Sequence, residues 1–180
     1  MQRNYELIMA GSGGQGLVFL SSLLAQAVIE DGGNVAQTQS YGIAQRGGFI
    51  SAEIVASDEE ILFQQVVKPS LVVVLHECAG SRYDAVAAPV LYDSSLLAEK
   101  SRPNNWKGVP FSLIAADLNA PKAANMAALG AIIQTVPVAS LDAVAAVVER
   151  RFAPAVAKIN LTAVKNGMSA AKQVSQGGRS

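Results

Sequence analysis

Cysteine is almost absent from this chain of 180 residues: Cys78 stands alone. One thiol closes no internal disulfide and cannot build an iron–sulfur or structural zinc site that needs several thiolates. Any electron carrier that works with this protein is expected elsewhere. An excess of charge is missing too, since 14 Lys and Arg face 14 Asp and Glu. No long-range field draws the chain to nucleic acid or an anionic membrane, so an anion site has to be local. Near the start, the apolar run Leu7 to Ala10 is cut by glycine. That is too short for a signal-peptide core or a membrane span, and the expected location is the cytoplasm.

Aromatic residues are scarce at 6%, whereas apolar residues reach 51% and are weighted to Ala, Val, Leu and Ile. That balance suits helices packed on a buried sheet rather than an all-β domain. A chain of this length buries about 70% of its unfolded surface as one domain. A single domain over 1–175 with a disordered tail at 176–180 is expected.

The order of elements supports an α/β fold. Tyr5 to Ala10 reads as a buried strand and Leu17 to Glu30 as a helix stopped at Asp31-Gly32-Gly33; Asn34 to Ser40 reads as a strand parallel to the first. After a polar loop from Tyr41 to Gly48, Phe49 to Ala56 alternates like a strand with one partly wet face. Leu71 to Leu75 and Val90 to Tyr92 are further strands, Pro103 to Gly108 a connector, and the stretch from Val109 to Asp117 another strand candidate. Helices are expected from Pro121 onward, one of them opening at Ser140. The expected architecture is a Rossmann-like, three-layer, mostly parallel sheet with a helical C-terminal third.

Between the first strand and helix lies GSGGQG, residues Gly11, Ser12, Gly13, Gly14, Gln15 and Gly16. Such a loop presents backbone N–H groups at the positive end of a helix dipole, where phosphate oxygens bind without side chains. A dinucleotide fold also requires an acid about 20 residues on, at the end of the second strand. Here that region reads VAQTQSYG, with Gln37 and Gln39 and no acid. No Lys-Ser or Lys-Thr pair follows the glycines, which removes the Walker loop. The motif is a phosphate loop of neither standard nucleotide type, or else a tight turn with no ligand.

A second loop, Tyr41-Gly42 followed by Arg46-Gly47-Gly48, should lie beside the first at the carboxyl edge of the sheet. Its arginine could fork onto a phosphate or carboxylate, or pair with a local acid such as Glu53 or Asp58.

GSGGQG, YGIAQRGG, the strand ending at Ser57 and PSLVVVL together resemble the gamma subunit of the 2-oxoacid:ferredoxin oxidoreductases, whose substrates are pyruvate, 2-oxoisovalerate, 2-oxoglutarate or indolepyruvate. The likeness continues weakly in PKAANMAALGA, with Asn125 and Gly130, and in KINLTAVKNG. It implies an accessory Rossmann-like subunit of a complex that oxidatively decarboxylates a 2-oxoacid to an acyl-CoA and passes electrons to ferredoxin. It implies that Gly11, Ser12, Gly13, Gly14, Gln15 and Gly16, with Tyr41, Gly42, Arg46, Gly47 and Gly48, form a wall of the coenzyme A site. Thiamine diphosphate, magnesium and iron–sulfur clusters would belong to partner subunits. In agreement, Asp31-Gly32-Gly33 is not the Gly-Asp-Gly of a thiamine diphosphate site. The other readings of the chain are a stand-alone nucleotide-binding module and an interaction scaffold that self-associates when isolated.

Three further features stand outside that wall. His76 and Cys78 end the best buried strand, where a nucleophile with an adjacent base is conceivable, against a buried thiol or a residue lining the cleft. Tyr83 and Asp84 are read as part of a surface helix. Lys158 and Asn160 could reach a ligand, but a lysine on an amphipathic terminal helix usually takes the solvated face, and both are left out of the wall; Glu149-Arg150-Arg151 is read as a helix end where cations suit the dipole.

Overall fold

A computed structural model describes residues 3–41, 48–97 and 102–177. Its strands are β1 (Asn4–Ser12), β2 (Asn34–Tyr41), β3 (Phe49–Ser57), β4 (Leu71–Val74), β5 (Val90–Asp93) and β6 (Trp106–Val109). Helices are α1 (Leu17–Glu30), α2 (Glu77–Gly80), α3 (Phe111–Asp117), α4 (Ala124–Thr135), α5 (Leu141–Arg151) and α6 (Pro154–Gly177). A 3₁₀ turn, Pro121–Ala123, leads into α4. The mixed α/β sheet has the order β2-β3-β1-β4-β5-β6.

Strands β1, β4, β5 and β6 pair in parallel, as expected, but β1 and β2 are not neighbours. β3 lies between them, antiparallel to both, with Ile54 opposite Leu7 on one side and Gln37 on the other. The short connection after β2 explains this: a hairpin needs few residues, whereas a parallel crossover needs a dozen or more. β2 still runs in the direction of β1.

Two other expectations are corrected. The strand near Pro103 is Trp106–Val109, inside the expected connector, and the stretch read as a strand becomes α3 from Phe111. Pro110 ends the strand because it offers no N–H to a ladder, and Phe111 and Ala115, one turn apart, are the residues that α3 buries. Around Tyr83 and Asp84 there is no helix; after the one turn of α2 the chain passes through turns to Pro89. α6 continues to Gly177, past the expected start of the tail, and residues 178–180 lie outside the described residues.

The two sheet faces are covered unequally. Leu7, Met9, Leu71 and Val73 face the long helices, packing with Leu20 and Leu24 of α1 and Met126, Leu129 and Ile132 of α4. Val72, Val74, Val90, Tyr92 and Trp106 form a smaller cluster on the other face, under α2 and the turns after it. There burial pushes the Tyr83 phenol up to about 12, with the Glu53 carboxylate adding to the effect.

Helix α4 is buried along most of its length, and a glycine on each helix brings it against α6. A Cβ at Gly130 would collide with the Val164 carbonyl, and one at Gly167 with the Ala127 carbonyl. Ser140 caps α5 as its sequence position suggests, accepting from Ala143 N–H at 3.0 Å.

Candidate functional site

The glycine loop is built by its own glutamine. Gln15 Oε1 accepts the Ser12 N–H at 2.8 Å, and Nε2 donates to the Leu75 carbonyl at 2.8 Å, tying the end of β1 to the end of β4. Gly14 (φ 95°) and Gly16 (φ 74°) lie in the left-handed region, which side chains rarely adopt. Gly16 is the N-cap of α1, so no side chain caps the first turn, and that turn holds no acid. Its backbone donors and the positive end of the dipole therefore face outward at the carboxyl edge of the sheet.

The loop also touches the second glycine segment, since Gly13 N–H donates to the Gly48 carbonyl at 3.2 Å. Tyr41 is exposed, and its hydroxyl donates to Gln39 Oε1 at 2.6 Å. Gly42, Arg46 and Gly47 lie outside the described residues. No carboxylate stands at the end of β2, where Gln39, Ser40 and Tyr41 follow one another.

Two hollows open from the loop. The larger, about 940 Å³, runs from Gly14, Gln15 and Gly16 past Lys122 and Asn125 to Asn160 of α6. Its size fits a ligand site, and much of its lining is apolar. The smaller, about 500 Å³, lies on the β3 side and includes Ser12, Gly14, Ile50 and Arg151. Phe19 borders both; its ring meets Phe152 edge-on at 5.8 Å, and the Arg151 guanidinium lies 5.7 Å from its centroid.

The polar residues around the larger hollow differ in how they are satisfied. Asp93 is buried at the end of β5 and accepts from Ser95 N–H at 3.0 Å, Ser112 N–H at 3.1 Å and Ser112 Oγ–H at 2.6 Å. Its charge is committed to the start of α3. Asn125 and Asn160 have no side-chain hydrogen bond to any described residue, although Asn160 is only 7% exposed. Asn125 Nδ2 lies 2.7 Å from where a Gly16 Cβ would be, so Gly16 also makes room for that amide.

His76 and Cys78 are not strand neighbours; His76 is the N-cap of α2, where its Nδ1 accepts the Cys78 N–H at 3.2 Å. The Cys78 thiol points to the Gly11 carbonyl at 3.5 Å. With Nδ1 on the backbone and the thiol donating elsewhere, the pair is not a nucleophile and base. Among the described residues, no three His, Cys, Asp or Glu side chains gather in a way that could hold a metal ion.

Several lining residues lay outside the motif. Asn160, left out of the wall on sequence grounds, borders the hollow with Phe152, Val156 and Ile159. A signal was present, because apolar residues at that spacing on a helix call for cover. Val156 and Ile159 are 46% and 39% exposed. Of the two arginines at the end of α5, Arg150 pairs with Glu30 at 2.6 Å, while Arg151 borders the smaller hollow.

A glycine loop, an uncapped helix start and a large hollow at the carboxyl edge define an α/β domain of neither the NAD nor the Walker type. The chain matches the pyruvate ferredoxin/flavodoxin oxidoreductase family over residues 6–170 and belongs to it. It is similar to the 2-oxoglutarate synthase subunit KorC of Archaeoglobus fulgidus, 38% identical over 136 residues, 73% of this chain and 71% of that one. The keto/oxoacid ferredoxin oxidoreductase gamma subunit of Geobacter sulfurreducens superposes with a TM-score of 0.82 at 29% identity, covering 96% of this chain and 98% of that one. These likenesses bear out the gamma-subunit resemblance. The fold is also shared, at a TM-score of 0.86 and 21% identity, with a 2-oxoglutarate:ferredoxin oxidoreductase from Magnetococcus marinus solved with 2-oxoglutarate, coenzyme A and succinyl-CoA. There the match covers 96% of this chain and 32% of the other. No helix among the described residues is long and apolar enough to cross a membrane.

Proposed function

We propose that this chain is the accessory subunit of a cytoplasmic complex that oxidatively decarboxylates a 2-oxoacid to its acyl-CoA and delivers the electrons to ferredoxin. Its own part is one wall of the coenzyme A site. The observation that carries this reading is the glycine loop opening, with the uncapped start of α1, onto a hollow of about 940 Å³.

The N–H groups of Gly14 and Gly16 and of the first turn of α1 bind phosphate oxygens, those of Gly13 and Gln15 being held by the Gly48 and Ser12 carbonyls, and Lys122 supplies a cation at the same hollow. Arg46 reaches the ligand or a partner subunit. The subunit contributes by positioning and electrostatics, with no group of its own in the bond changes. Thiamine diphosphate with magnesium, and the iron–sulfur clusters, reside in partner subunits and supply the decarboxylation and electron transfer. The likeness to a 2-oxoglutarate synthase subunit makes 2-oxoglutarate the first substrate to test.

In the complex purified from its host, Gly14→Val is the decisive variant, because a β-branched residue does not adopt a φ of 95°. The KM for coenzyme A should rise about tenfold or more, a loss of some 1.4 kcal/mol, while the KM for the 2-oxoacid stays unchanged. An unaltered coenzyme A dependence would remove the wall from the site. Recovery of this chain without thiamine diphosphate or iron–sulfur subunits would remove the complex.

A further inference from the structure

Asn160 and Asn125 have no place in the glycine-loop reading, and their state needs a cause. Asn160 is mostly buried and its carboxamide has no protein partner, yet its amide atoms are not fully shut off from solvent, so their open side is the hollow. Such groups are uncommon in folded proteins and are usually satisfied by something outside the chain. Asn160 is 7% exposed, borders the larger hollow, and bonds to no described residue. Asn125 borders the same hollow beside Gly16, equally unbonded.

The character of the hollow narrows the ligand. A carboxamide donates through nitrogen and accepts through oxygen, so it complements a secondary amide, which offers both. Around the two amides the walls are apolar, with Leu75, Val156 and Ile159 among them, which suits methylene and methyl groups between amides. A purine ring fits less well. Phe111 is fully buried, and the Phe19 ring is already met edge-on by Phe152, with the Arg151 guanidinium 5.7 Å from its centroid.

We infer that Asn160 and Asn125 bind the amide-bearing arm of the ligand whose phosphate end meets the glycine loop. This rests on the proposed coenzyme A wall and assigns part of its recognition: the hollow reads a pantetheine-type chain through its amides. The two residues act on affinity and register, and neither touches the reacting centre.

The test uses three probes on the full chain within the complex: coenzyme A, 4′-phosphopantetheine and adenosine 3′,5′-bisphosphate. Asn160→Leu should weaken coenzyme A and phosphopantetheine about tenfold and leave adenosine bisphosphate within about twofold. Its melting temperature should hold, because the amide removed makes no hydrogen bond to any described residue. A purely structural asparagine would lower the melting temperature and spare the probes. Asn125→Leu, expected to show the same pattern more weakly, carries the test if Asn160→Leu does not fold. Equal weakening of all three probes, or of none while the wild type binds them, overturns the inference and leaves the wall standing. A wild-type complex that binds none of the three overturns the wall and the inference with it.

Discussion

Arg3 and Asn160 are both mostly buried polar residues near opposite ends of the strands, and the fold treats them differently. Just before β1, the Arg3 guanidinium lies 3.5 Å from Asp58 and 3.8 Å from Asp31, and its backbone N–H donates to Asp58 at 2.6 Å. Asp31 in turn accepts the Ser140 N–H and, at 2.7 Å, its hydroxyl, which holds the start of α5 beside the end of α1. At the carboxyl edge, Asn125 and Asn160 find no described partner, and α1 begins without a side-chain cap. Polar groups at the first edge are spent on architecture. At the second, Gln15 and Asp93 are spent in the same way, while Asn125 and Asn160 are not.

This contrast makes separable predictions. The largest effect should come from a residue that serves both regions. Gly130→Val drives a side chain into the Val164 carbonyl where α4 meets α6. It should cost about 3 kcal/mol or more in urea denaturation, and lose ligand binding with it. Next is Gln15→Leu, which removes the bonds to Ser12 and Leu75. About 2 kcal/mol of stability and most coenzyme A affinity should go together, measured by denaturation and calorimetry on one sample. Asp31→Ala should cost about 1–2 kcal/mol by unfastening Arg3 and Ser140, with coenzyme A affinity unchanged. A change in affinity there would erase the distinction between the two edges.

The smallest effect concerns the exposed Glu30–Arg150 pair. The hydrogen bond from Arg150 holds the Glu30 carboxyl below its ordinary range. A depressed carboxyl stabilises the fold above its unfolded pKa, and that contribution fades as pH falls through the folded value. Arg150→Met should therefore melt slightly earlier than wild type at neutral pH, with the difference vanishing in acid. A gap of the same size at both pH values would assign Arg150 to packing instead.

Much of the scaffold was legible along the chain because its signals are local. The strand, glycine loop and helix at the start follow from a short apolar run, clustered glycines and helical spacing; Ser140 declares itself as a cap. The carboxyl-edge position of the loop follows from that order. Less legible were features set by residues far apart. Phe111 to Asp117 is apolar enough for a buried strand, and only the packing of Phe111 and Ala115 beside α4 makes it a helix. His76 and Cys78 follow directly on a strand-like apolar run, and nothing local marks that the chain turns into α2 there. Asn160 sits between Ile159 and Leu161, and only the apolar spacing of Val156 and Ile159 hinted that its side of α6 would face a hollow.

The amino-acid sequence determined the glycine loop, the family signature in its two glycine segments, and the exclusion of an internal disulfide that a single cysteine imposes. Each rests on residue type and near spacing, which constrain backbone conformation and ligand chemistry directly. The tertiary structure decided that β3 separates β1 from β2, that Gly13 bonds to Gly48, and that Asn125 and Asn160 share a hollow with the loop. Those arrangements come from closing two helices to backbone contact at Gly130 and Gly167 and burying one sheet face beneath them. Packing of that kind is a sum over the whole chain, and no short window of it carries the answer.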